Sequence, residues 1–305
     1  MKKLIIGVIL TISVLALSLY LFIPGRLKIN EIVTMNATMD GVARTLSAGS
    51  NWNKWWPGDT VFHFNKKTFQ ITAYELNGFD IRIISNRDSL QSRMNLIFLD
   101  NDSMLVDWQA QLKSSSAPFK RFSQYMKVKE IGKDINAILT SLKNFAEDPQ
   151  NIYGIKVVKV IVTDSVLIST RRSFDHKPDV QEIDDMIQTL KNYIKQNGAV
   201  EKNLPMLNVM KTDNSYVAMT AIPVDRELPV TNEFAPKFML KGGNILEAEI
   251  KGGPFTIERS FNELENYRAD HKYTSPAIPF QLLVTDRAKE KDTTKWTTKL
   301  YYPVF

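Results

Sequence analysis

The sequence predicts an α+β protein in three parts: an N-terminal transmembrane helix, a strand-rich domain closed by one long helix, and a pseudo-twofold tandem of β-β-α-β-β units. Three observations predict it. A charge-free apolar run opens the chain. Paired strand segments precede a long helical pattern in residues 27–150. Two stretches of the remaining half then match across one constant offset of 74 residues.

The first element is the run from Leu4 to Ile23, 20 residues without a charge. As a helix it is about 30 Å long, the thickness of a bilayer's hydrocarbon core. It ends in "LYLFIPGRL", with bulky residues where a signal-peptidase site needs small ones, so it reads as an uncleaved anchor over residues 1–26. Lys2 and Lys3 give the leading end a slight positive excess. The expected location is therefore a bacterial inner membrane, single-pass, with the body in the periplasm and the bilayer as a partner through residues 4–23.

Residues 27–150 form the expected first domain. "LKINEIVTMNA" is β-rich, and "TMDGVARTLS" reads as a short helix broken by "GSNWNKWWPGDT". "TFQITAYEL" and "FDIRIIS" flank Asn77-Gly78, a strong hairpin signal. "RMNLIFL" and "MLVDWQAQL" flank "DNDS" as a second hairpin. From Pro118 to about Glu147, Ile135, Ile138, Leu139, Leu142 and Phe145 recur at helical spacing.

Residues 151–305 hold the tandem, with repeats at about 153–230 and 234–305. "LKNYIKQNGAVEKNLP" and "LENYRADHKYTSPAIP" share Leu, Asn, Tyr and Pro. The helix faces match too: Ile183, Ile187, Leu190 and Tyr193 against Ile257, Phe261, Leu264 and Tyr267. Each repeat is expected to open with a hairpin, one across Thr163-Asp164-Ser165 and one across Gly242-Gly243-Asn244. One helix covers one face of a four-stranded unit, so two units packed together leave a cleft at their junction.

Composition excludes several functions. With no cysteine there are no disulfides, thiolate metal sites or cysteine nucleophiles. The three histidines do not share helical metal spacing. The net charge of +6 is spread along the chain, with no basic arm for nucleic acid. No nucleophile elbow, phosphate loop or dinucleotide glycine pattern appears. No cofactor, metal or nucleic-acid partner is expected.

The closing strand, "WTTKLYYPV", with "GGPF", "ELENY" and "IPF" before it, resembles the gyrase-inhibitor-like domain. That SOUL-related domain is the effector-binding module of some AraC- and MerR-type regulators. The resemblance implies small-molecule binding in a groove between repeats, for cationic, lipophilic ligands in many members, and hydrolysis in a few. The family's closing phrase, W-x-T-E-I-x-x-P, carries a Glu that meets the ligand's charge. Lys299 stands there in this chain, and Met219 at the equivalent place in the first repeat. A buried lysine repels a cation and demands an anion or a local carboxylate, so the cation role does not carry over. "INEIVTMNATMDGVARTL", "WNKWWPG" and "ILTSLKNFAED" resemble the START-like, polyketide-cyclase-like helix-grip fold, which implies an apolar cavity under the long helix.

The expected function is non-catalytic binding or sensing of a small hydrophobic molecule. The alternatives are a hydrolase acting through a carboxylate and a tyrosine in the groove, and an envelope interaction module with filled pockets. The groove candidates are Tyr216, Met219, Trp296, Lys299 and Tyr301, with no catalytic residue assigned. Strand alternation puts Tyr301 on the face of Lys299 and Trp296 on the other, unless a bulge intervenes. Trp52, Trp55 and Trp56 read as a corner of the core, and Glu258, Glu263 and Glu265 as a solvated helix face.

Overall fold

The computed structural model describes residues 17–85, 88–275 and 277–305, together with Gly7, Leu10 and Val14. The chain divides into two units, Met1–Asp148 and Pro149–Phe305.

In the first unit β1 (Arg26–Met35) leads to α1 (Met39–Ser47), then β2 (His63–Phe64), β3 (Lys67–Glu75), β4 (Gly78–Ser85), β5 (Asp88–Asp100) and β6 (Ser103–Lys113). These strands form one antiparallel sheet in the order β1-β6-β5-β4-β3-β2. Thr38 caps α1, accepting from the Gly41 amide. The β3–β4 hairpin is present, with Glu75 opposite Gly78, so its tip falls at Leu76-Asn77. A Cβ on Gly78 would lie 2.3 Å from the Met94 carbonyl oxygen, which is why that position takes glycine.

Helix α2 (Pro118–Ala146) starts with proline at its first turn and packs on β1. Ile131, Ile135, Ile138, Leu139 and Leu142 are buried on its inner side. Trp52, Trp56, Phe69 and Trp108 are also buried and join ring to ring, at 6.0, 5.5 and 6.0 Å between successive centroids. The indoles of Trp52, Trp56 and Trp108 donate to the Leu46 carbonyl, the His63 carbonyl and the Ser92 hydroxyl. The tryptophan trio, Trp52, Trp55 and Trp56, is thus buried in the core.

The expected transmembrane helix over residues 4–23, and with it the single-pass inner-membrane location, is overturned. Among the described residues no helix is long and apolar enough to cross a membrane. Much of the apolar run lies outside the described residues; its described end is built into the first unit. Ile23 is buried, and its carbonyl accepts from the Arg121 guanidinium. That guanidinium lies over the Tyr20 ring, and the Tyr20 hydroxyl donates to the Ser116 carbonyl. Ile23 thus serves the packing at the start of α2, while Leu21 and Phe22 stay exposed.

The second unit runs α3 (Pro149–Tyr153), β7 (Val158–Ile161), β8 (Val166–Phe174), α4 (Val180–Gln196), β9 (Met206–Lys211) and β10 (Tyr216–Pro223). It continues through β11 (Phe234–Phe238), β12 (Asn244–Lys251), α5 (Pro254–Asp270), β13 (Phe280–Leu283) and β14 (Thr297–Val304). Asp179 and Glu182 form a reciprocal capping box on α4. All eight strands join one antiparallel sheet in the order β11-β8-β10-β9-β13-β14-β12-β7. The repeats meet at β9 and β13, where Leu207 faces Gln281 and Met206 faces Leu282.

Both helices cover the same face. Met186, Leu190 and Ile194 of α4 pack on Ile168, Ala218 and Ile222. Ile257 and Leu264 of α5 pack on Leu246, Ala248 and Leu300.

The two hairpins expected to open the repeats do not form. β7 pairs with β12 of the second repeat, and β11 pairs with β8 of the first. The repeats therefore exchange their outer strands. The linkers that carry the exchange meet: the Val162 amide donates to the Gly243 carbonyl (2.9 Å), Gly242 to Val162 (3.0 Å) and Met239 to Ser165 (2.9 Å). Gly242 turns at φ 81, in the left-handed region. A local hairpin would satisfy the same backbone groups but would leave the helix-free side of the sheet bare. The exchanged linkers place Met239 against Leu167, Met206, Ala221 and Leu282.

One buried ion cluster ties the first unit together. Lys67 of β3 is 3% exposed, with its Nζ 2.8 Å from Asp134 Oδ2 and 2.6 Å from Glu130 Oε1 on α2. Burial works to lower the Lys67 pKa, but hydrogen bonds to Asp134 and Glu130 outweigh it and raise the value. Asp134→Ala should destabilise the protein by about 3–5 kcal/mol, because it removes the buried partner of a buried charge. Lys67→Met combined with Asp134→Leu should recover most of that loss. Urea denaturation of the three proteins checks both expectations.

Candidate functional site

The helix-free face of the second sheet carries a cavity of about 340 Å³. Strand alternation selects its floor. Met206 and Asn208 of β9, Met219 and Ala221 of β10, Leu167 of β8 and Phe280 of β13 line it. These are the positions out of phase with the residues packed under α4 and α5. The crossing linkers add Val162, Met239 and Leu240, and the end of the chain adds Pro303 and Phe305. The wall is largely apolar, with Asn208, Asn244 and Lys237 as polar members. The Asn208 amide group donates to the Pro279 carbonyl at 2.8 Å, which fixes its orientation.

Of the five candidates named from sequence, Met219 lines the cavity. Lys299 and Tyr301 lie on the same side of β14 as Pro303, beside the cavity rather than in its wall. The Tyr301 ring stacks on Phe280, with centroids 5.1 Å apart and planes at 25°. Tyr216 falls on the opposite face of β10, in phase with Ala218 and Ile222 under α4. Trp296 is buried in the cluster beneath α5, its indole donating to the Glu290 carbonyl at 2.9 Å. The structure thus brings Lys299 and Tyr301 together and separates Tyr216 and Trp296 from them.

What joins Lys299 and Tyr301 is Glu247 of β12, a residue that sequence reasoning did not single out. Register places Glu247 opposite Tyr301 and Glu249 opposite Lys299. Lys299 Nζ lies 3.0 Å from Glu247 Oε1, and the Tyr301 hydroxyl donates to Oε2. Glu247 and Lys299 are 17% and 30% exposed, so water screens the pair less than it would a surface pair. One signal was available: "NILEAEI" alternates two glutamates with the residues that pack under α5. Its partners required the register between strands more than 40 residues apart in the chain.

The trio has a defined protonation character. Burial, and then the hydrogen bond to Glu247, push the Tyr301 pKa well above the ordinary phenol range. Tyr301 is therefore a fixed donor at neutral pH, not a base. The glutamates weighed on α5 are engaged elsewhere. Glu258 pairs with Lys177 at 2.9 Å and Glu265 with Arg268 at 2.7 Å, and Glu263 accepts from the Asn266 amide.

No family model matches the chain, and no curated protein matches it. Solved structures do. The EcmrR C-terminal domain is similar at 12% identity and a TM-score of 0.42, covering 50% of this chain and 98% of that one. EcmrR in its complex with DNA aligns at 13% identity and a TM-score of 0.43, over 61% of this chain and 69% of that one. A hydrolase from Listeria innocua aligns at 11% identity and a TM-score of 0.38, over 49% and 92%. At these scores the likeness to the effector-binding fold is loose.

The raised Tyr301 pKa has a sign in stability. The folded state holds the phenol proton more tightly than the unfolded chain. That contribution is complete below the ordinary phenol value of about 10 and is lost as pH rises through the higher folded value. In Glu247→Gln, one tyrosine should ionise at lower pH than in the parent. Alkaline titration followed at 295 nm checks this, with Tyr301→Phe identifying the group.

Proposed function

We propose that the second unit captures a small hydrophobic molecule in the cavity on the open face of its sheet, without chemistry. The carrying observation is the cavity itself: an apolar space at the low end of the usual ligand-pocket range of about 300–1,000 Å³, with few polar groups in its wall. Apolar wall area gives affinity, and the sparse polar groups give orientation.

Two features favour capture over the hydrolase alternative. Glu247 accepts from both Lys299 and Tyr301, so each of its oxygens already has a donor. Tyr301 is held as a phenol, which makes it a poor proton acceptor near neutral pH. The interaction-module alternative calls for a groove filled by side chains, and this one is open.

The test is binding of the uncharged fluorescent probe N-phenyl-1-naphthylamine to the full chain. Met219→Trp puts a larger side chain into the floor. It should weaken probe binding at least about tenfold, a loss of about 1.4 kcal/mol, while leaving the circular dichroism spectrum unchanged. Equal probe binding by parent and Met219→Trp would sink the proposal. Native mass spectrometry of protein purified from its own host should reveal a bound molecule of low mass.

A further inference from the structure

The charged side chains in the cavity wall are of one sign. Among the described residues no carboxylate side chain lines it, and Lys237 is the charged side chain in its wall. Lys237 lies on β11 opposite Leu167, a floor residue, so register places it on the cavity side of the sheet. It is exposed at the rim. No carboxylate among the described residues lies within ion-pair distance of its ammonium.

Two nearby carboxylates already have hydrogen-bond donors, and Glu249, opposite Lys299 on β12, is exposed and outside the wall. Glu247 accepts from both Lys299 and Tyr301 and is not part of the wall. Asp164, on a crossing linker, accepts from the Asn203 amide at 2.8 Å and is not part of the wall. A cation entering the cavity meets a like charge at Lys237 and no carboxylate side chain in the described wall. An anion meets an unpaired ammonium.

The apolar wall adds a second preference. Met206, Met219 and Met239 supply thioethers, and Phe238, Phe280 and Phe305 supply rings. Sulfur-to-ring and ring-to-ring contacts favour an aromatic body over a simple alkyl chain of equal area.

Resting on the capture reading above, we infer that the cavity takes an aromatic organic anion, with Lys237 as the residue that selects the ligand's charge. The class is a flat apolar ring system bearing one carboxylate or sulfonate. The ring system sits on the methionine and phenylalanine wall, and its acid group sits at the rim beside Lys237.

A matched series on one ring system tests this by isothermal titration calorimetry: 2-naphthoate, neutral 2-acetylnaphthalene and a 2-naphthyltrimethylammonium salt. The naphthoate should bind about fivefold tighter than the ketone, the scale of a well-placed rim ion pair. The ammonium should bind weakest, and the preference should shrink as salt rises. Lys237→Met keeps an apolar stem and should level the naphthoate and the ketone. Lys237→Arg should retain the preference. Equal affinities across the series, tightest binding of the ammonium, or a preference that survives Lys237→Met would each overturn the charge assignment while leaving capture intact. Failure of the uncharged probe to bind the parent would remove the capture reading, and this inference with it.

Discussion

The second unit depends on one constraint. An eight-stranded antiparallel sheet has two faces, and its two helices lie on the same one. Every strand therefore sends alternate side chains to a face that no helix covers. Leu167, Met206, Ala221 and Leu282 point that way and are nevertheless buried. Something in the chain must shield them from water, and local hairpins at the sheet edges would not reach.

The exchange of outer strands meets that need. β7 leaves the first repeat to pair in the second, and β11 does the reverse. Each linker crosses toward the other, and their mutual hydrogen bonds satisfy backbone groups that would otherwise lack partners. The shield is partial. Met239 closes over part of the face, and the rest remains a cavity. The first unit packs tryptophan and phenylalanine rings between its elements, and the space it leaves, about 730 Å³ between β1 and α2, has a more polar wall that includes Lys28, Glu31, Lys129 and Lys133. The capture proposal rests on the second unit because its cavity has the more apolar wall.

The departure at Lys299 finds its physical resolution in Glu247. A lysine in a half-buried strand needs a counter-charge. The adjacent strand supplies one, and the same carboxylate takes the Tyr301 proton donor. The effect is that the Lys299 and Glu247 charges offset one another beside the cavity. Lys237, an exposed residue in an edge strand containing Pro236, is then the charged side chain in the described wall.

By itself the sequence determined the features written in contiguous residues. Ile183, Ile187 and Leu190 mark the buried side of a helix, and their counterparts 74 residues later mark another, because a period of 3.6 is local. The Tyr301–Lys299 side of β14 was legible from a period of two, and the placement of Trp296 beneath α5 agrees with that alternation. The tertiary structure alone decided which strands are neighbours. Thr163-Asp164-Ser165 and Gly242-Gly243-Asn244 carry turn chemistry compatible with a hairpin, yet the chain ends of β8 and β12 pair with segments far away in sequence. It alone decided that Glu247 meets Lys299, and that the apolar end of the leading segment closes on Arg121. Pairing between distant strands is set by the total area each arrangement buries, a sum over the whole fold that no single segment encodes.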